Sequence, residues 1–164
     1  MTDQLEPIVG AMALSPKILR DFVSAIPKAK LHTIRKPGFW TIFQHVAHLA
    51  DVQPMIHARL VRFRDEESPT FVPFIPSDDD VPEVESSFAG IEEACDAFDA
   101  VRRKTLDLAR EMPESYWQKR GTHPEFEVYT PLNQLRHLLM HDHWHMYRIE
   151  ELWLTRDQFL TDLQ

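Results

Sequence analysis

The sequence predicts an all-α protein, an antiparallel four-helix bundle with a long acidic loop between its second and third helices. Long segments carry apolar residues three and four apart, the period that puts them on one helical face. Only 4 glycines occur, at 10, 38, 90 and 121, and no Asn-Gly or Asp-Gly pair is present to close a tight β-hairpin. The 164 residues, 43% hydrophobic and 27% charged, suit a single domain over 1–164 whose core needs no disulfide or other staple.

The first helix is expected over Ser15–Ile26, with Ser15 as N-cap, Pro16 in the first helical position and Ile18, Phe22 and Ile26 on one face. Residues 5–14 could add a turn or two before it. The second is expected from Thr41 to Arg64, burying Val52, Met55, Ile56, Leu60 and Phe63. Pro54 lies inside it, removes one backbone donor and predicts a bend rather than a break. Residues 65–85 contain eight acids, no base and four prolines, which predicts a surface loop. A third helix is expected over 88–111, with Ile91, Cys95, Phe98 and Leu106 facing inward and Pro113 ending it. Cys95 there reads as a small buried residue rather than a nucleophile. After a connection holding Trp117, Gly121, His123 and Pro124, the fourth helix opens at Thr130-Pro131 and runs to about Arg156.

Charge and composition narrow the function. The net charge of −8 argues against binding nucleic acid or an anionic membrane. No stretch approaches 18 apolar residues. The acidic N-terminus, interrupted by Pro7, does not resemble a signal peptide, and one cysteine fits a reducing compartment, so a cytoplasmic location is expected.

Seven of the nine histidines fall within 45–57 and 137–145, and this clustering needs a cause. His141 and His145 are four apart, on one face of the fourth helix with Leu138 and Leu152. Unpaired imidazoles in an apolar interior are costly, and a metal ion removes that cost. His45 and His48 lie three apart on the second helix, and either could face that pair across the core to complete an open three-nitrogen site. The pair His137 and His141 is an alternative register. His143 and His32 read as surface residues and His57 as structural.

The run Trp40-Thr41-x-x-Gln44-x-x-x-His48-Leu49-Ala50-Asp51 and the late run His141-Asp142-x-x-His145-x-x-x-Ile149 together resemble the DinB/YfiT-like superfamily. Trp117 and Gly121-x-His123-Pro124 between them fit the same pattern, so the resemblance spans Pro16 to Leu152. It implies a four-helix bundle with a three-histidine divalent metal site, whose ligands fall on His48, His141 and His145. His45 then becomes a neighbour of the site or a core residue. Many members have Glu where Gln44 stands and Gln where Arg148 stands. Arg148 could clamp an anionic substrate group or pair with an acid such as Glu150 or Glu151. As partners for the ligands, Asp51 and Gln44 are candidates around His48, and His123 could reach the rim of the site. Asp142, pointing about 100° away from His141, reads as a solubilising residue.

The resemblance further implies thiol-dependent chemistry. Some relatives are S-transferases using glutathione, bacillithiol or mycothiol, and some are mycothiol-dependent isomerases; members also pair as homodimers. The expected function is therefore that of a divalent-metal enzyme setting a thiolate against an electrophile. Metal-assisted hydrolysis of a small amide or ester is an alternative, as is a non-catalytic metal-holding stress or interaction protein. His141-Asp142-x-x-His145 has the spacing of the metalloprotease helix, but with the shorter Asp in place of Glu. Three nitrogen ligands suit zinc, nickel, iron and copper alike.

Overall fold

The computed structural model describes residues 2–73 and 87–162. Its helices are α1 (Thr2–Ser24), α2 (Ile42–Asp65), α3 (Ile91–Glu111) and α4 (Pro131–Leu154), and a short hairpin, β1 (Gly121–His123) and β2 (Phe126–Tyr129), precedes α4. Among the described residues no helix is long and apolar enough to cross a membrane.

The caps fix where α2 and α4 begin. Thr41 accepts the Gln44 N–H on its hydroxyl at 3.2 Å, and the Gln44 side-chain oxygen accepts the Thr41 N–H at 2.7 Å, a reciprocal capping box. Thr130 caps α4 in the same way by accepting the Asn133 N–H at 3.2 Å, with Pro131 as the first helical residue. α2 continues through Pro54, as expected of a bend.

α1 departs from expectation. It is one helix from Thr2 to Ser24, and Ser15 is not its N-cap: the hydroxyl turns back to the Ala11 carbonyl at 3.4 Å. Pro16 sits mid-helix, so the Met12 carbonyl loses its usual intrahelical donor. A buried arginine of α3 replaces that donor, with Arg102 Nη1 lying 3.3 Å from the Met12 oxygen. Tertiary structure thus offsets the local cost that made a helix start at Ser15 look favourable.

Cross-helix contacts define the directions. Arg20 meets Glu92 and Asp96 while Met12 meets Arg102, so α1 and α3 are antiparallel. His45 meets His145 and His48 meets His141, so α2 and α4 are antiparallel too. Gln53 meets Arg102 and His57 meets Thr105, so α2 and α3 run the same way. α1 and α2 each pack on both α3 and α4 and stand diagonally opposed in the four-helix bundle. Parallel neighbours need a connection that returns along the bundle, which accounts for the many residues between α2 and α3.

Of the acidic loop expected over 65–85, Asp65 closes α2, residues 66–73 are non-helical, and 74–85 lie outside the described residues. The 66–73 stretch docks on the hairpin: the Phe71 N–H donates to the Thr122 carbonyl (2.8 Å) and the Thr122 N–H to the Pro69 carbonyl (2.9 Å). Gly121 permits this approach, since a Cβ there would stand 2.8 Å from both the Phe71 ring and the Pro69 carbonyl. The hairpin itself was not expected. It turns at Pro124-Glu125 without a glycine; the Glu125 N–H donates to His123 Nδ1 at 3.3 Å, and Tyr129 packs on Phe63 and Phe71. Side-chain packing supports a turn that has a proline but no glycine.

The core has two apolar clusters. One gathers Met12, Ile56, Phe63, Leu106 and Leu135; the other gathers Leu19, Val46, Leu49, Phe98 and Ile149. Between them lies a buried polar layer. Arg102 donates to both carboxylate oxygens of Asp142 (2.7 and 3.0 Å), to the Gln53 side-chain oxygen (3.2 and 3.1 Å) and to the Met12 carbonyl, and neither Arg102 nor Asp142 is exposed. Asp142 is thus no solubilising residue: its carboxylate is the counter-ion of a charge at the centre of the bundle.

Removing one partner of a buried ion pair strands the other. Asp142→Ala should therefore cost about 3–5 kcal/mol in urea unfolding, whereas Arg102→Met combined with Asp142→Leu should cost well under the sum of the single changes.

Candidate metal centre

The first turns of α2 and the middle of α4 bring three imidazoles together. His48 Nε2 lies 3.1 Å from His141 Nε2, and His145 Nε2 lies 3.2 Å from the same atom. The three ligand atoms all fall within 4.8 Å of one another. Nitrogens held about 2.0–2.1 Å from a tetrahedral ion stand roughly 3.3 Å apart, so the spacing fits. Each ring is also in the neutral, ligating form. Burial lowers His48, pushes His141 down to about 4 and lowers His145 further, with the neighbouring imidazoles adding to the effect on the last two. The donor set and the two spacings to His141 suit a divalent ion with an intermediate preference for nitrogen.

The cluster opens on a pocket of about 370 Å³ lined by Trp40, His45, His48, His141, Trp144, His145 and Arg148. Trp40 lies edge-on to His48 (centroids 5.0 Å apart) and stacks over His145 (5.9 Å), while Trp144 meets His145 edge-on at 4.7 Å. The walls are therefore largely aromatic.

The other expected site residues divide. His45 is buried beside the cluster, and its Nδ1 lies 2.8 Å from His145 Nδ1. Arg148 lines the pocket and, as its second reading expected, pairs with an acid, buried Glu151, while Nη1 donates to the Thr161 carbonyl at 3.0 Å. Its Nε is buried without a hydrogen-bond partner. The Gln44 side-chain oxygen serves the cap of α2. Asp51 is exposed and accepts from the Ser87 hydroxyl at 3.0 Å instead of a ligand imidazole. His123 is buried in the hairpin against Phe126 and Tyr129 and does not line the pocket. His137 is exposed, which removes the 137/141 register; His32 and His143 are exposed as expected, and His57 pairs with Thr105 at 3.2 Å.

Sequence reasoning missed Arg102 altogether. Its signal was a charged residue four from Phe98 and four from Leu106, in the middle of an apolar helical face.

The bundle and its histidine cluster define a class of helical proteins built around a core metal site. The sequence profile of the DinB superfamily matches residues 11–149, and the chain belongs to that superfamily. Over 110 residues it is 26% identical to a protein of Oceanobacillus iheyensis provisionally named a metal-dependent hydrolase, a match covering 67% of this chain and 63% of the relative's length. The fold is that of YfiT from Bacillus subtilis, with a TM-score of 0.81 at 24% identity over 93% of this chain and 87% of that one. YfiT is described, also provisionally, as a metal-dependent hydrolase with an unusual four-helix-bundle topology.

Two outcomes follow from the electrostatics. His45 and His141 titrate near 3 and 4 when folded, against 6.5 when unfolded. Between those values the unfolded chain binds more protons, so stability rises with pH. The metal-free protein should lose melting temperature steadily as pH falls from about 6.5 to 4, with a shallower slope in His141→Leu. Cys95 is buried and its thiol is pushed up to about 11 by burial, so the folded protein should resist thiol reagents at neutral pH and react once unfolded in urea.

Proposed function

We propose that this protein is a divalent-metal-dependent enzyme that uses His48, His141 and His145 to hold the ion and the Trp40–Trp144 pocket to hold an electrophile, with a low-molecular-weight thiol as nucleophile. The observation that carries the reading is the convergence of three neutral nitrogens on a pocket that, among the described residues, no carboxylate lines. Bound there, the ion keeps its full charge and supplies a Lewis acid that favours the deprotonated form of a thiol or of water. Among the described residues, the acids closest along the chain to these histidines have other partners: Asp51 accepts from Ser87, Asp142 pairs with Arg102 and Glu151 with Arg148. A nucleophile that needs little help from a general base suits such a site, and a thiol, with a pKa of about 8.5 before any activation, is one. The aromatic walls suit an apolar or flat electrophile, and Arg148 places a guanidinium at the pocket wall beside it.

Hydrolysis of a small ester or amide is the second reading, and the provisional names of the O. iheyensis relative and of YfiT favour it. It uses the same ligands with water as nucleophile. It asks more of the site, because water starts from a pKa near 15.7 and the leaving group needs a proton.

One assay separates the readings. Protein stripped by chelation and reloaded with zinc, nickel or iron is offered a thiol panel with chlorodinitrobenzene, and separately a nitrophenyl ester. Thiol-dependent turnover that disappears on chelation is expected, and His48→Ala should lower it beyond the ~10–100-fold typical of losing an outer partner of a ligand. Ester cleavage without thiol turnover would establish hydrolysis. A metal-raised melting temperature with neither activity would mark a metal-holding protein without catalysis.

A further inference from the structure

The contact between His45 and His145 assigns a second role inside the cluster. We infer that His45 is a positioning residue that fixes the tautomer of His145 and so tunes divalent-cation affinity; this rests on the metal reading above. The two Nδ1 atoms are 2.8 Å apart and both rings are almost fully buried, with exposures of 4% and 3%. Two neutral imidazoles at that distance share one hydrogen bond, so one Nδ1 carries the proton and the other accepts it.

The two possible arrangements have opposite consequences. If His45 donates, His145 accepts on Nδ1, must carry its own proton on Nε2, and cannot ligate through that atom. If His145 donates from Nδ1, its Nε2 is bare and faces His141 Nε2 at 3.2 Å within the cluster. A cation held by the three imidazoles selects the second arrangement. His45 is then an Nδ1 acceptor whose single proton sits on Nε2, on a ring that lines the pocket.

His141 has no equivalent support: its Nδ1 is buried and has no hydrogen-bond partner. His45 occupies the place that a carboxylate or backbone carbonyl fills beside most ligating histidines, but adds no negative charge to the site. The expected effect is on affinity and orientation, with the ligand count unchanged.

The test compares wild type, His45→Phe and His45→Gln, each confirmed folded by circular dichroism, by competitive titration with zinc. His45→Phe keeps a ring in the cavity and removes the acceptor; His45→Gln restores an acceptor oxygen. The expected result is a ~10–100-fold weaker affinity in His45→Phe, recovered in large part by His45→Gln. In zinc-loaded wild type, nitrogen-15 NMR should find the proton of His145 on Nδ1 and that of His45 on Nε2. Equal affinities in wild type and His45→Phe, or a proton on His45 Nδ1 in the loaded protein, would overturn the inference and leave the three-histidine site standing. Absence of zinc binding by wild type itself would remove the site and the inference together. The NMR arm needs no substitution, so a variant that fails to fold does not decide the outcome.

Discussion

A guanidinium buried at the centre of the bundle constrains everything around it. Arg102 comes from α3, and its acceptors come one from each of the other helices: the Met12 carbonyl, the Gln53 amide and the Asp142 carboxylate. Apolar packing is non-directional and would tolerate several rotations and axial offsets of four helices. A bidentate ion pair with two further bonds does not tolerate them, because any slip leaves a charge unsolvated. The two apolar clusters lie on either side of this layer, so the directional bonds fix the register and the clusters supply most of the burial energy.

That register is what assembles the histidines. With Asp142 aimed at the axis, residues 141 and 145 lie about 100° and 60° around α4 on the same side of it, the side that meets α2. The antiparallel relation of α2 and α4 then brings His48 opposite His141 and His45 opposite His145. One polar device orients the helix, and the chemistry sits on the adjoining face. The pocket inherits the rigidity of the helices, which suits a site that must hold three nitrogens within a few tenths of an ångström.

The sequence made much of this legible. The starts of α2 and α4 were readable because Thr41 and Thr130 are caps with strong local signatures, and the end of α3 because Pro113 follows it. The pairing of His141 with His145 followed from helical geometry alone, whereas choosing His48 over His45 needed the family resemblance. What stayed hidden depended on contacts distant in sequence. Ser15-Pro16 has every local mark of a helix start, and only the donor from Arg102 lets α1 run through it. Asp142 looked like a surface acid because its counter-ion lies 40 residues away. The hairpin has no turn glycine and is supported by the packing of Phe71 on Tyr129. Asp51 and Gln44 stand at the right spacing for ligand partners, but spacing does not reveal that Asp51 accepts from Ser87 or that the Gln44 oxygen completes a helix cap.

The bond between Arg102 and the Met12 carbonyl sets how freely positions 16 and 102 can change. A proline at position 16 is tolerated cheaply only where the core supplies another donor to residue 12. Once it is there, that donor can no longer be lost without leaving a bare carbonyl in the interior. The two positions, 86 apart along the chain, are therefore coupled in one direction: a residue with a backbone N–H could replace Pro16 and restore the helical donor, whereas Arg102 cannot be lost while Pro16 stays without stranding that carbonyl.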